Sequence, residues 1–291
     1  MSYFVTVLYT NALIVGIGGR NMMLNGLHKI HIELSSKCNK NCWMCGRRKR
    51  EKMYGNQNYG FMEWKTLVKI PSQVPPNTLI AFHNNGEGLM YPQFGKAVSL
   101  FKHCITYLVT NGLLLLEKSD EIISNLNIIS ISIIENEDPS IKEDQLQIIH
   151  DFLKLKGDKP PMTTLRFVGK VDETPYVERL GSLMPKIVRR TLHIPDGSRK
   201  YRVSPTLPEH GVCNDLLQTL AIDRFGNVSV CVRFDVDGDL IIGNINYQSL
   251  DDIWNSQKRQ WIINKHVTNK RHEVPYCGDK CEYYGVPTGE C

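Results

Sequence analysis

The first two-thirds of the chain alternates between short apolar runs and longer amphipathic stretches. Six runs predict strands: Ile30–Leu34, Thr78–His83, Cys104–Val109, Asn127–Ile134, Thr163–Val168 and Arg190–Ile194. Between them the spacing predicts helices over Met62–Ile70, Pro92–His103, Leu114–Leu126, Ser140–Lys156 and Thr174–Val188. The fourth helix is the clearest, with Ile141, Leu146, Ile149, Phe152 and Leu153 on one face. Strand and helix in strict alternation build βα units around a parallel sheet, so the fold class is α/β. The last third reads differently. Ala221–Cys231 predicts a β-hairpin with Gly226 and Asn227 at its turn.

Composition changes this picture little. Of 291 residues, 42% are apolar and 22% charged, as in ordinary globular proteins. A net charge of +5 is too small to argue for nucleic acid as a partner. Residues 3–17 are fairly apolar. They are too few, and too interrupted by Thr6, Thr10 and Asn11, to span a bilayer, and no basic start marks a signal peptide. Residues 1–22 therefore read as an accessory extension, a strand or a hairpin.

The nine cysteines change more. Cys38, Cys42 and Cys45 form C-x3-C-x2-C directly after the first strand. Three thiolates on one loop can hold three irons of a [4Fe–4S] cube, leaving the fourth iron open to a ligand that is not protein. A structural zinc site would want four ligands, usually as two close pairs. Cys213 and Cys231 frame the hairpin as C-x12-G-x4-C through Gly226, and Cys277 and Cys281 follow as C-x3-C. These four would fully ligate one further cluster, or equally a zinc ion. Cys291 is a spare or a substitute ligand, and Cys104, in an apolar strand, reads as core.

The first triplet resembles the signature of the radical S-adenosylmethionine (SAM) superfamily, and the second pattern resembles that superfamily's SPASM and twitch domains. The resemblance implies a partial (β/α)6, TIM-like barrel over residues 23–205. A small twitch/SPASM-like domain, a β-hairpin plus helix, would occupy residues 206–291. It implies SAM and two [4Fe–4S] clusters as cofactors, one cluster binding SAM through Cys38, Cys42 and Cys45. The auxiliary cluster would be held by Cys213, Cys231, Cys277 and Cys281. Asn84-Asn85-Gly86-Glu87-Gly88 resembles the Gly-Gly-Glu motif that binds the SAM amino group; Gly86 and Glu87 carry over, while Asn85 and Gly88 depart from it. The family's adenine contact falls on Met44 or its neighbour Trp43. Thr110 and Asn111 would lie beside SAM, and Ser130 and Ser132, on one face of the fourth strand, near its ribose or carboxylate. Arg166 would meet the carboxylate.

The activity implied is reductive cleavage of SAM and hydrogen abstraction by the 5′-deoxyadenosyl radical. A fully ligated auxiliary cluster points to a two-electron oxidation of a small polar substrate resembling a sugar, cyclitol or nucleotide. The alternative is peptide or protein maturation by crosslinking, oxidation or epimerisation; the alternative outside enzymology is a zinc-stabilised binding protein. A reductant such as flavodoxin or ferredoxin is the expected partner, with no membrane or nucleic acid. An oxygen-sensitive cluster implies the cytoplasm. The basic run Arg47–Lys52 reads as a solvated loop or a phosphate contact.

Overall fold

The computed structural model describes residues 24–47, 51–52, 55, 58–183, 185–190, 212–232, 235, 238–278 and 281. The expected N-terminal extension, the 205/206 domain boundary, the strand positions beyond Arg190 and Cys291 lie outside them.

The six predicted strands are present as β1 (Lys29–Ile32), β2 (Leu79–Ala81), β3 (Ile105–Thr110), β4 (Ile128–Ile134), β5 (Met162–Val168) and β6 (Lys186–Arg190). They pair in parallel in chain order. Parallel neighbours need crossovers, and α1 (Trp64–Leu67), α2 (Phe94–Ser99), α3 (Ser119–Asn125), α4 (Pro139–Lys156) and α5 (Thr174–Leu180) lie within them. The α4 expectation holds nearly to the residue. Asp138 caps it, accepting from the Ser140 N–H, and Pro139 starts it.

Strand alternation sorts the side chains. Ile30, Ile32, Phe82, Leu108, Ile129, Ile131, Ile133, Leu165 and Phe167 are buried in one apolar core with Phe94, Phe101, Ile149 and Phe152 of the helical layer. Phe82 meets Phe94 and Phe101 edge to face at 6.4 and 5.5 Å. The opposite, concave face is polar. It carries Lys29, His31, Tyr107, Ser130, Ser132, Thr164 and Arg166, the last in register with Ser132.

One expectation needs correction. The helix expected to run to Val188 stops at Leu180, and β6 begins at Lys186, four residues ahead of its expected start. Gly181 opens a 3-10 turn there. The Lys186-Ile187-Val188 run, read as helix, instead pairs with Thr164, Leu165 and Arg166; ladder pairing outweighs a weak helical pattern.

The C-terminal hairpin is not a separate body. After α6 (Asn214–Gln218), β7 (Thr219–Ile222) pairs in parallel with β1, from Lys29↔Thr219 to Ile32↔Ile222. The antiparallel β8 (Asn227–Ser229) and β9 (Ile241–Asn244) complete a nine-stranded sheet of order β6-β5-β4-β3-β2-β1-β7-β8-β9. Helices α7 (Leu250–Trp254) and α8 (Gln257–Val267) pack beside it, each capped by a serine, Ser249 and Ser256. Arg259, 5% exposed, lies over the Trp254 ring at 3.3 Å and donates to the carbonyls of Trp254 and Leu216 at 3.1 Å.

Arg259 ties α8 to α7 and to the end of α6. Arg259→Met should therefore cost about 1–3 kcal/mol from unmet carbonyls, read as a lower thermal midpoint. An unchanged midpoint would show that the guanidinium is decoration.

Candidate metal centres and active-site cleft

Because β1 to β7 run in one direction, every loop that follows them emerges at one edge of the sheet. Cys38, Cys42 and Cys45 lie half-buried on the loop after β1. Ser36 moors this loop by exchanging hydrogen bonds with the Gly60 backbone at 3.0 and 3.2 Å. Lys40, buried between the first two cysteines, pairs with Glu137 beyond β4 at 2.6 Å. The Trp43 indole donates to the Glu135 carbonyl at 3.0 Å. Met44 packs with Cys42 against Ile134 and Val168 at the ends of β4 and β5. The loop thus reaches from β1 across the sheet edge to β5.

The segment after β2 packs against the start of this loop. Gly86 has φ +82°, and a Cβ there would stand 2.4 Å from the Ser35 carbonyl oxygen and 2.7 Å from that of Lys37. Gly88 likewise has no room for a Cβ, which would meet the Phe82 carbonyl oxygen at 2.7 Å. Asn85, standing where the motif has glycine, donates its backbone N–H and its amide to Glu33 at 3.2 and 3.0 Å. Both departures from the motif thus have a local cause.

Glu87 is 2% exposed. Its carboxylate accepts from Leu89 N–H at 3.1 Å, the Thr110 hydroxyl at 2.9 Å and Asn111 N–H at 2.8 Å. Burial pushes this carboxyl up from its ordinary value, and the Asn111 and Leu89 N–H groups pull it back. Glu87 thereby fixes the Thr110-Asn111-Gly112 turn against the cysteine loop. Asn111 completes the link, its amide 3.7 Å from the Cys38 sulfur and 2.7 Å from Asn39.

Gly86, Glu87, Thr110, Asn111 and Cys38 thus form one network. Ser130 lies apart from it on the concave face, bonded by the Tyr107 hydroxyl at 3.1 Å. Arg166 stands across the register from Ser132. His83, edge-on to His31 at 4.8 Å and to Tyr107 at 5.5 Å, is held neutral by burial and then by the charges of His31, Lys29 and Arg166.

The second cysteine set lines one partly open pocket. Cys213, Cys231, Cys277 and Cys281 surround it with Leu216, Val230, Leu240, Ile262 and Tyr276. Four cysteines at one pocket could ligate a [4Fe–4S] cluster or a zinc ion. Burial, followed by the nearby Cys281 and Cys213, pushes the Cys277 thiol up to about 12, and burial pushes Cys42 to about 11. Thiols so placed ionise when a metal cation supplies the opposing charge. Cys104, 8% exposed, stays in the core as expected, with its sulfur 3.7 Å from the Pro75 carbonyl.

Between the two cysteine sets runs a cleft of about 1010 Å³, including its open mouth. Ser36, Asn84 and Asn85 wall the SAM-side loops, and Asp223, Asn227 and Cys231 wall the hairpin. Sequence reasoning missed Glu33 here. It is 5% exposed and accepts from Asn85 and from the Arg224 backbone, joining the two walls, while burial raises its carboxyl. The available signal was the alternation His31, Glu33, which puts a carboxylate on the concave face of an apolar strand.

Gly86→Ala should cost about 1–2 kcal/mol from the left-handed backbone alone, with the clash against the cysteine loop added. Thermal unfolding and SAM affinity of the iron-loaded protein should both fall; no change in either would make Asn84–Glu87 an ordinary turn. Anaerobically reconstituted protein should hold about eight irons per chain, and a Cys277→Ala/Cys281→Ala variant about four. Four irons with one zinc in the parent would refute the second cluster.

The comparisons agree with this geometry. The iron–sulfur cluster-binding domain family SPASM matches residues 213–282. The S-adenosyl-L-methionine-dependent 2-deoxy-scyllo-inosamine dehydrogenase of Niallia circulans is 24% identical over 234 residues, 79% of this chain and 82% of the relative. The fold is shared with BtrN, crystallised with AdoMet and 2-DOIA, at a TM-score of 0.61 and 19% identity, over 88% of this chain and 94% of that one. It is shared too with Streptococcus suis SuiB bound to the precursor peptide SuiA, at a TM-score of 0.62 and 12% identity, over 88% and 71%. With the C-x3-C-x2-C loop at the carboxyl edge of a parallel sheet and a second cysteine pocket on the same sheet, the chain resembles radical SAM enzymes in fold, and its residues 213–282 match the SPASM iron–sulfur cluster-binding domain.

Proposed function

We propose that this enzyme oxidises an alcohol carbon of a small polar, cyclitol- or sugar-like substrate by two electrons. The observation that carries the reading is the position of Cys231, which lines both the cleft and the four-cysteine cavity. A substrate in the cleft is then one residue from the auxiliary centre. The curated relative, a dehydrogenase whose name gives a cyclitol amine as its substrate, supports the same chemistry.

Cys38, Cys42 and Cys45 would hold the first [4Fe–4S] cluster, and Cys213, Cys231, Cys277 and Cys281 the second. When bound, the first cluster and SAM together supply the 5′-deoxyadenosyl radical that removes a hydrogen atom. The chain's own residues do the rest. Lys40–Glu137 and Trp43–Glu135 hold the cysteine loop in place, and Glu87 and Asn111 set the turn beside Cys38. Met44 or Trp43 would cover the adenine, and Ser132 and Arg166 would meet SAM from the concave face. One turnover takes an alcohol and SAM to a ketone, 5′-deoxyadenosine and methionine. The carbon-bound hydrogen ends in 5′-deoxyadenosine, the hydroxyl proton goes to solvent, and the second electron leaves past Cys231.

The electron that starts the cycle comes from a low-potential reductant such as flavodoxin or ferredoxin. The oxygen sensitivity of the clusters argues for the cytoplasm; no helix among the described residues is long and apolar enough to cross a membrane. The barrel would occupy residues 23–205 and the cluster domain 206–291.

The test uses cyclitols and sugars deuterated at the alcohol carbon, with SAM and dithionite. Deuterium should enter 5′-deoxyadenosine, and the product should be two hydrogens lighter. A Cys231→Ala variant should still cleave SAM while losing the ketone. A product of unchanged mass carrying solvent deuterium at one carbon would mark an epimerase, and turnover of a peptide alone would move the enzyme to the maturases.

A further inference from the structure

The cleft is lined by five charged side chains: Glu33, Arg47, Asp223, Arg224 and Asp235. Four of them are already spoken for. Glu33 takes two donors from Asn85. Asp223 caps the hairpin turn, accepting from Phe225 N–H and Asn227 N–H at 2.9 Å and from the Asn227 amide at 2.8 Å. Asp235 accepts from Gly238 N–H and Asp239 N–H at 3.1 Å and from Leu240 N–H at 2.9 Å. Arg224 donates to the Asn58 carbonyl and lies over the Phe225 ring at 3.8 Å. The three carboxylates are thus consumed by the protein's own N–H groups, and the cleft is less acidic toward a ligand than its composition suggests.

Arg47 differs. Its guanidinium lies over the Tyr59 ring at 4.2 Å and also hydrogen-bonds the Tyr59 hydroxyl, contacts that fix the planar group. Its Nε–H is buried and meets no acceptor among the described residues. A buried donor without an acceptor is costly, and a ligand oxygen would remove that cost. A rigid guanidinium prefers a carboxylate or phosphate, which it can bind by two parallel hydrogen bonds. The residue stands two positions beyond Cys45 and lines the cleft beside Tyr59.

We infer that Arg47 is a specificity-determining residue that receives an oxyanion of the substrate, so that the preferred substrate is a polyol bearing a carboxylate or phosphate group. This deepens the dehydrogenase reading and rests on the cleft being its substrate site. The basic run after the third cysteine thereby contributes one ligand contact.

The test is calorimetric, on the reconstituted holoenzyme with SAM present, using glucose, glucuronate and glucose 6-phosphate as probes. A charge-assisted contact predicts that one or both charged probes bind about tenfold or more tightly than glucose. Glucuronate and glucose 6-phosphate separate the carboxylate from the phosphate. Arg47→Met should abolish the preference, and Arg47→Lys, which keeps the charge and loses the fork, should retain part of it. Iron content and the cluster spectrum report that both variants are folded and loaded. Equal binding of all three probes by the parent, absence of measurable binding included, overturns the inference. So does a preference that survives in Arg47→Met, or a loss confined to SAM affinity, which would make the anion SAM's own carboxylate. None of these outcomes touches the deuterium-transfer test, so the two readings fail separately.

Discussion

The parallel pairing of β7 with β1 is the constraint on which the two-centre arrangement depends. Four register pairs, Lys29↔Thr219 to Ile32↔Ile222, splice the cysteine-rich hairpin onto the barrel sheet. The loop after β1 carries Cys38, Cys42 and Cys45, while the turn after β7 leads into antiparallel β8, which returns down the sheet to Cys231, so one ladder fixes where both cysteine sets stand. A flexible linker between two independent domains would leave their separation to diffusion. A shared ladder fixes it to within the play of a hydrogen bond, and fixed proximity is what electron transfer between a cleft and a cluster requires.

Two buried carboxylates reinforce the splice. Glu87 locks the β3 turn to the cysteine loop, and Glu33 locks the segment after β2 to the β7–β8 turn. A buried carboxylate is tolerable when several N–H donors face it. Each therefore demands that its donors stay in place, and the loops become rigid as a set. The SAM-side wall and the hairpin wall of the cleft cannot move independently while Glu33 holds both.

The alternation of apolar strands and amphipathic helices was legible from the sequence, because one face of each strand is buried in an apolar core and period 2 records it. Ser130 and Ser132 were rightly placed on one face for the same reason. The cysteine spacings were legible because ligation demands residue types, which context cannot disguise. The start of β6 was not, since Lys186-Ile187-Val188 is decided by its partner strand. The motif identified Glu87 and its loop but not its partners Thr110 and Asn111, which arrive from another strand. Glu33 was invisible as a site residue because what distinguishes it is which partners its carboxylate finds, and Arg47 was visible only as one member of a basic run.

The thiol environments add a thermodynamic link between metal and fold. Cys213, Cys231, Cys277 and Cys281 stand among Leu216, Val230, Leu240 and Ile262; burial disfavours ionisation of Cys213 and Cys277, and the nearby Cys281 and Cys213 raise Cys277 further. Iron reverses both terms at once, since it converts repelling thiolates into ligands of a shared charge and fills the space between them. Binding free energy of that kind is folding free energy for the elements that supply the ligands. The cavity is enclosed by α6, β8, the turn before β9, α8 and the Cys277–Cys281 segment, which between them span most of the C-terminal region. Loss of the auxiliary cluster would therefore loosen the hairpin that walls the cleft, and the pairing of β7 with β1 would carry that loss to the edge of the barrel.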